Sequence, residues 1–590
     1  MQEKSSPSNT PQRIGFVVDW IDEFYQTTVL KGAAQVAESN GAELIVLPGG
    51  VIGAEHDHGA SRNGLYQLIQ ADCYDGLVLM TGTLGNARGL DVSKDICPEF
   101  PKDRICHVAI DVLGSPSVLI DNKVGVRKAV EHLVRVHQRT KIGFLRGPVH
   151  NAEAEARYSA YLEAMETRGL KVDPRLIVAG DFRREAGVQA VCTLFDERNV
   201  QLDEIDAIVA ASDSMALTLL EELRRRGIKV PGQIAVIGFD DIEEARFTVP
   251  PLSSIWQPLF EQGREAMQTV LDAISGLPRS RPRVLATVCR FRRSCGCTSE
   301  ELGFLTERPK SDTRMTLEAS VMRRREQIIE EVEGSAPLEL AQTDPQWKDS
   351  FFAGILAGIR DRPEDFRDSV DVLLETIIVS GGEVTAGMNM ISALRRQLSV
   401  CAGDHPGQLR QVESLMHDAR ILASDAIERA QAYRRIGVER FTRVVAEMST
   451  KLVQASSEAQ LSQFINEELP RTGLRTALLC RYDGQDPSQA FVVAGLWEGR
   501  PLSSVEMAEP FRAADLFPSS LERDAQTWVV QPIYSETKHL GFAVFKWGEA
   551  PGYLYEILRT TLSRALCGLE MGSSPNAWAL HHNDGRLSNL

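Results

Sequence analysis

Val236–Pro258 reads VIGFDDIEEARFTVPPLSSIWQP. An apolar run ends in two adjacent aspartates and is followed by an acidic loop, a double proline and a second short apolar run. Charge at the end of a buried strand is costly unless something pairs with it, so Asp240 and Asp241 mark either structural carboxylates or the rim of a binding site. Outward from this stretch, between Arg13 and Arg293, short apolar runs alternate with amphipathic helical segments: RIGFVVDW, AELIVLP, DGLVLM, HVAID, SVLID, KIGFLRG, AIVAA and IAVIGFD. Strands apolar throughout and separated by helix-length segments predict parallel sheets covered on both faces. The fold class of this half is α/β.

The span is long for one doubly wound sheet. It reads as two lobes breaking near Gly114-Ser115-Pro116, with residues 13–114 plus 259–279 in one lobe and 117–250 plus 281–293 in the other. Ligands of open α/β sheets sit beyond the carboxyl ends of the strands, where Asp19, Asp111, Asp121 and Asp240 fall. Two facing lobes form a cleft there.

The whole chain has 590 residues, too many for one core. Its formal charge of −16 argues against a general polyanion-binding surface, so no direct nucleic-acid binding is expected. Arginine clusters at 224–226, 290–293 and 323–325 sit among acids and read as solvated faces. Residues 1–12 form a polar tail without a secretory apolar core, and no run of 18 apolar residues occurs. The expectation is a cytoplasmic protein without a membrane segment, its ten scattered cysteines kept as thiols.

After Cys297 the strand signal stops until about residue 475. A helical region, 298–406, leads into a long helix, 407–456. Along it Val412, Met416, Ala419, Ala423, Ala426, Ala430 and Tyr433 recur at spacings of four and three, a heptad seam. Such a seam serves either packing within the chain or a parallel homodimer, and we favour the dimer. Residues 440–572 read as α+β, with helices first, then strands RTALLCRYD, AFVVAGLW, TWVVQPIY and KHLGFAVFKW, and a closing helix. Residues 573–590 read as a disordered tail.

Several segments together carry a resemblance: Asp121-Asn122 with Gly125, HLVRVHQRTKIGFLRGP (132–148), Arg157 with Ala160-Tyr161, Gly180-Asp181-Phe182 with Gly187, residues 213–241, and PPLSSIWQP (250–258). In order and spacing, residues 13–293 resemble the effector-binding core of LacI/GalR regulators, which is similar in fold to periplasmic sugar-binding proteins. The resemblance implies a small polar effector, a sugar or related polyol. Arg157 would offer a planar fork of donors, and Asp240 would accept two hydroxyl or N–H donors. Phe182 would lay a ring against the ligand, with Asn151 beside it. The segment Asp19–Gln26, with Phe24 and Tyr25, would close from the other lobe. Ser212 and Asp213 start a helix, where Asp213 serves equally as an N-cap or a ligand contact. Structural alternatives stay open: a turn-capping carboxylate for Asp240 and Asp241, an intrahelical pair with Glu153 or Glu155 for Arg157, a core position for Phe182. Glu153 stands where purine-binding members carry a small hydroxyl residue, which argues against a purine. Family repressors begin with a helix-turn-helix, whereas here twelve polar residues precede the first strand.

Ser294–Cys297, SCGC, offers two thiols, but no second Cys or His pair lies at useful sequence spacing, so no metal and no cofactor are assigned. His56–His58 in a Gly-rich loop reads as solvated turn. No P-loop, GxSxG, HExxH, kinase or cyclase signature occurs, so no enzyme activity is expected. The last domain resembles a GAF-type sensor by element order alone. The expected function is a ligand-sensing regulator that passes lobe closure through helices to a separate output protein, such as a kinase, cyclase or transcription factor. The alternative is a LacI/GalR-type transcriptional regulator acting on DNA directly or through a partner.

Overall fold

The computed structural model describes residues 11–53, 59–85, 92–277, 281–297, 315–380, 384–536, 538–548 and 550–572. The expected tails, apart from Pro11 and Gln12, and the histidines at 56–58 lie outside these residues. The chain forms two compact units, residues 1–297 together with 444–590, and residues 298–443.

In the first unit β1 (Arg13–Val18), β2 (Glu43–Pro48), β3 (Gly76–Leu79), β4 (Ile105–Val108) and β5 (Ser117–Ile120) form a parallel sheet in the order β5-β4-β3-β1-β2. A second parallel sheet follows, with β6 (Ile142–Leu145), β7 (Ile177–Val178), β8 (Ala207–Ala210), β9 (Ala235–Asp240) and β10 (Ser253–Trp256) in the order β10-β9-β8-β6-β7. The chain then returns through β11 (Arg283–Leu285), parallel to β5, and β12 (Val288–Arg290), antiparallel to β10. Near-continuous burial of these strands is what burial on both faces requires.

The lobe boundary falls later than Gly114-Ser115-Pro116. β5 pairs with β4, and β11 joins it, so 117–120 and 283–285 belong to the first sheet. Val118 completes the first lobe's core, and its carbonyl accepts a hydrogen bond from Gln262 Nε2 (3.2 Å) on helix Leu259–Ile274. The chain therefore crosses between lobes at Asp121, at Gln257–Pro258 and at Ala286–Thr287. Two bonds tie the first and last crossings together: the Asp121 amide donates to Leu285 O (2.8 Å), and Thr287 Oγ1 donates to Asp121 O (3.0 Å).

Helix Phe24–Ser39, which carries Tyr25 and Gln26, crosses helix Leu259–Ile274 where both present glycine. A Cβ on Gly32 would lie 2.0 Å from Phe260 O, and one on Gly263 would lie 1.9 Å from Val29 O. Gly263→Ala is expected to destabilise the first unit by about 1–3 kcal/mol, read as a lower unfolding midpoint, while Gly232→Ala, with no atom closer than 3.5 Å, leaves it unchanged.

The C-terminal strands are β13 (Ala477–Tyr482), β14 (Gln489–Trp497), β15 (Arg500–Pro501), β16 (Phe511–Arg512), β17 (Thr527–Ser535) and β18 (Lys538–Lys546), paired antiparallel in the order β17-β18-β13-β14-β15 with β16 on β14. Helix Glu458–Glu468 precedes them and helix Gly552–Gly572 closes the domain. The α+β element order matches expectation, but the sheet is not separate. β17 pairs in parallel with β2, Thr527 to Leu44 through Val529 to Val46, so the first lobe and the C-terminal domain share one continuous sheet.

The described residues of 298–443 are mostly helical, including Trp347–Ile359, Pro363–Val379, Val384–Ala402 and most of the 48-residue helix Pro406–Val453. The heptad seam is spent inside this unit. Val412, Met416, Ala419, Ala423 and Ala426 are fully buried among Phe351, Phe366, Leu374 and Leu394, whereas Tyr433 is 82% exposed. The small alanines allow close approach of helices of the same chain, so residues 412–430 are not a dimer surface. Among the described residues no helix is long and apolar enough to cross a membrane.

A candidate effector site between the two lobes

The two carboxylates that end β9 have different partners. Both residues adopt positive φ, +118° for Asp240 and +54° for Asp241, conformations that Asp tolerates better than most side chains and that hold about 1–3 kcal/mol of strain each. Asp241 is ion-paired with Arg292 (2.6 Å), and its amide donates to Ser254 Oγ (3.0 Å). This is a structural carboxylate. Asp240 faces the seam: Oδ1 accepts from Gln257 Nε2 (2.6 Å) and lies 3.8 Å from Arg157 Nη1, while Oδ2 accepts from the Asp213 amide (3.3 Å). Burial pushes its carboxyl up to about 6, against the opposing pull of Arg157.

Arg157 sits in the second turn of helix Ala152–Thr167, 3% exposed. Its Nε donates to Asn122 Oδ1 (2.8 Å) and Nη1 to Ala211 O (2.7 Å), and its guanidinium lies 3.7 Å from the Phe239 ring centroid. Asn122 Nδ2 donates in turn to Glu153 Oε1 (3.1 Å), which is 4.0 Å from Arg157. The intrahelical pair with Glu153 and the cleft-facing role therefore coexist.

From the first lobe, Asp19 directly follows β1 and is buried, accepting from Thr83 Oγ1 (2.8 Å) and Gln26 Nε2 (3.2 Å); burial raises its pKa. Tyr25 is half-buried with its hydroxyl fully covered, among the charges of Glu153, Arg157, Asp240 and Asp19. Asn151 caps helix Ala152–Thr167 through Oδ1 (2.9 Å to the Ala154 amide) and donates through Nδ2 to Gly82 O of the first lobe (3.0 Å), so the lobes touch here. Phe182, half-buried at φ +70°, packs over Gly147 and lies 5.7 Å from the Arg157 guanidinium. Phe24 is 45% exposed at the start of its helix.

Ser212 and Asp213 divide their roles differently from expectation. Ser212 is the N-cap, its Oγ accepting from the Met215 amide (3.4 Å). Asp213 is fully buried with both oxygens engaged by Ser254 Oγ (2.7 Å) and the Ile242 amide (3.1 Å). It braces the turn after β9 and offers Asp240 only its backbone. Asn122, Gln257, Gln26 and Thr83 also enter the site, although none of them is singled out by sequence as a ligand contact; Gln257 directly follows β10 and Asn122 lies two residues beyond β5, strand-end positions that a cleft uses.

Among the described residues, three buried polar atoms at the seam have no hydrogen-bond partner: Tyr25 Oη, Gln26 Oε1 and Gln257 Oε1. Between Asp19 and the Arg157–Asp240 pair they present one hydroxyl and two amide oxygens. A surface groove of about 810 Å³ lies elsewhere, lined by Gln67, Arg481, Lys538, His539 and Glu570 among others; none of these partnerless atoms borders it.

Residues 130–295 match the family model described as a periplasmic binding protein-like domain. The HTH-type transcriptional repressor CytR of Escherichia coli K12 is 32% identical over 260 residues, 44% of this chain and 72% of that protein. The HTH-type transcriptional regulator CelR of Thermobifida fusca is 34% identical over 176 residues, 30% of this chain and 47% of that protein. The ribose operon repressor of Haemophilus influenzae Rd is 27% identical over 282 residues, 48% of this chain and 80% of that protein. The two sheets, the three crossings between them and this extended similarity agree, and through this two-lobed periplasmic-binding-protein-like domain the chain belongs to the LacI/GalR family of regulators.

Proposed function

We propose that the chain senses a small, neutral, hydroxyl-rich metabolite, of the sugar class, held between the lobes by Arg157, Asp240, Asp19 and Tyr25. The observation that carries this reading is the set of partnerless buried atoms beside the Arg157–Asp240 pair, since buried polar atoms are otherwise almost always bonded. That one relative is named for the ribose operon favours a sugar. Binding shifts an open and closed equilibrium by its differential affinity for the two states. The signal reaches the C-terminal, GAF-like domain through the first lobe, where Arg62 lies 4.2 Å over Trp20 and Gly552 abuts Ile21 O in the same segment as Asp19 and Tyr25. The output is a separate cytoplasmic partner, the protein acts as a homodimer, and it has no enzymatic activity of its own.

The test is a thermal-shift screen of the full chain against sugars, polyols and nucleosides, because stabilisation grows with ligand concentration over Kd. No stabilisation by any sugar or polyol, or stabilisation unchanged in Asp240→Asn, would sink the reading. The pH dependence has a definite sign. Ligand hydroxyls donate to ionised Asp240, and its carboxyl is held near 6 by burial, so apparent affinity rises with pH through about 6 and then levels.

A second reading, direct action on DNA, is favoured by the relatives, which are HTH-type transcriptional regulators. A gel-shift titration against salt separates the two, since phosphate contacts make binding fall steeply with ionic strength.

A further inference from the structure

Cys295 and Cys297 are not alone in space. Helix Asn122–Arg135 ends beside them, and His132 in its last turn, with His137 just after it, faces the two thiols. The four potential ligand atoms lie within 4.8 Å of one another. His132 Nε2 is 3.1 Å from His137 Nε2, 3.2 Å from Cys297 Sγ and 3.7 Å from Cys295 Sγ, and His137 Nε2 is 3.4 Å from Cys297 Sγ. Zinc bonds of about 2.3 Å to sulfur and about 2.0–2.1 Å to nitrogen, arranged tetrahedrally, separate their ligand atoms by roughly 3.3–3.8 Å. These four spacings fall in or just below that range, and the remaining pairs lie within 4.8 Å, so a bound ion needs only a side-chain adjustment of about 1 Å.

The surroundings fix the arrangement. Gly296, at φ +114°, lets the turn between the thiols approach His137; a Cβ there would lie 2.9 Å from the imidazole Cε1. Phe291 stacks on His132 with centroids 3.5 Å apart and planes within 9°, which sets the ring's orientation. Cys295 is fully buried, and the other three are partly buried. The expectation that SCGC lacks a second ligand pair is overturned because the pair lies about 160 residues upstream.

We propose that His132, His137, Cys295 and Cys297 form a Cys2His2 site for a divalent zinc-like cation. With four protein ligands the site is closed and structural rather than catalytic. Soft thiolates with imidazoles select zinc over magnesium or calcium. The ion fastens the segment after β12 to the end of helix Asn122–Arg135 at the last residue before the chain leaves the effector domain. Binding needs both thiols deprotonated, so uptake releases protons.

The full chain, reduced and stripped with a chelator, is titrated with cobalt(II) and then zinc(II). The expected result is one ion per chain, the visible bands of tetrahedral cobalt with thiolate charge transfer in the near ultraviolet, and displacement of cobalt by zinc. Cys297→Ser and His137→Gln, both at partly buried positions, should each weaken uptake by at least about tenfold. Chelation should lower the melting temperature of the wild-type chain and zinc should restore it, a readout that holds even if a variant folds poorly. The proposal fails if the reduced chain takes up no cobalt at micromolar concentration, if the spectrum lacks thiolate charge transfer, or if both variants bind as the wild type does. It fails equally if Cys295 and Cys297 form a disulfide whose reduction yields no uptake.

Discussion

Arg157→Ala is expected to remove ligand-induced stabilisation and also to cost about 3–5 kcal/mol in the absence of ligand, because it leaves buried carboxylates without their cation. Asp240 and Glu153 lie 3.8 and 4.0 Å from the guanidinium, and Asn122 Oδ1 and Ala211 O lose their donors. A side chain that only touched ligand would leave the unliganded melting temperature unchanged, so a normal apo melt in Arg157→Ala would refute the buried network. Asp240→Asn keeps an acceptor for Gln257 Nε2 and is expected to cost far less in apo stability while losing the ligand response. The contrast between the two variants separates packing from recognition.

Arg62→Met carries the other large effect. Arg62 is 1% exposed; Nη1 and Nη2 donate to Glu556 (2.9 and 2.8 Å), and Nη2 also donates to Pro48 O (3.0 Å). This is a bidentate pair between the first lobe and the helix that closes the C-terminal domain, and charge-assisted fork geometry is the strong kind. Glu556 keeps Arg559 (3.1 Å) and Gln531 (3.2 Å), so losing the fork and the bond to Pro48 O is expected to cost about 2–3 kcal/mol. The loss should appear locally, as faster amide exchange and proteolysis along β17 and helix Gly552–Gly572. Unchanged exchange there would show that β2–β17 pairing alone holds the domain. Burial pushes the Glu556 carboxyl up, but Arg62 and then Arg559 hold it down to about 2. A depressed carboxylate contributes stability that is fully present above the ordinary glutamate pKa and is lost as pH falls toward 2. The attachment should therefore weaken between about pH 4.5 and 2 in the wild type, and Arg62→Met should reduce that dependence to the part that Arg559 (3.1 Å) sustains.

Much of the effector domain was legible along the chain because parallel strands buried on both faces write their burial into consecutive residues. RIGFVVDW and IAVIGFDD announce both the strand and the acid at its end. Asp19 and Asp240 stand at strand ends, which define the rim of a cleft, whereas the role of Arg157 came only with the resemblance to LacI/GalR cores. The lobe boundary was misplaced because a four-residue strand, Ser117–Ile120, has the same composition whichever sheet it joins. The heptad seam of 412–430 fixed which face of the helix is buried but not what covers it; helices of the same chain do. Asp213 looked like a cap or a ligand contact, and its two bonds to Ser254 and Ile242 depend on a strand and a turn brought close only by folding.

The sequence by itself determined the two-lobed α/β domain, the helical stretch and the α+β element order at the end, because periodicity and turn chemistry are local properties. Tertiary structure alone decided that β17 extends the first lobe's sheet at β2, that Arg62 meets Glu556, and that His132 and His137 face Cys295 and Cys297. Those meetings join residues hundreds of positions apart, or about 160 in the last case. Edge pairing and side-chain convergence depend on where whole elements come to rest, and no local pattern in the chain records that.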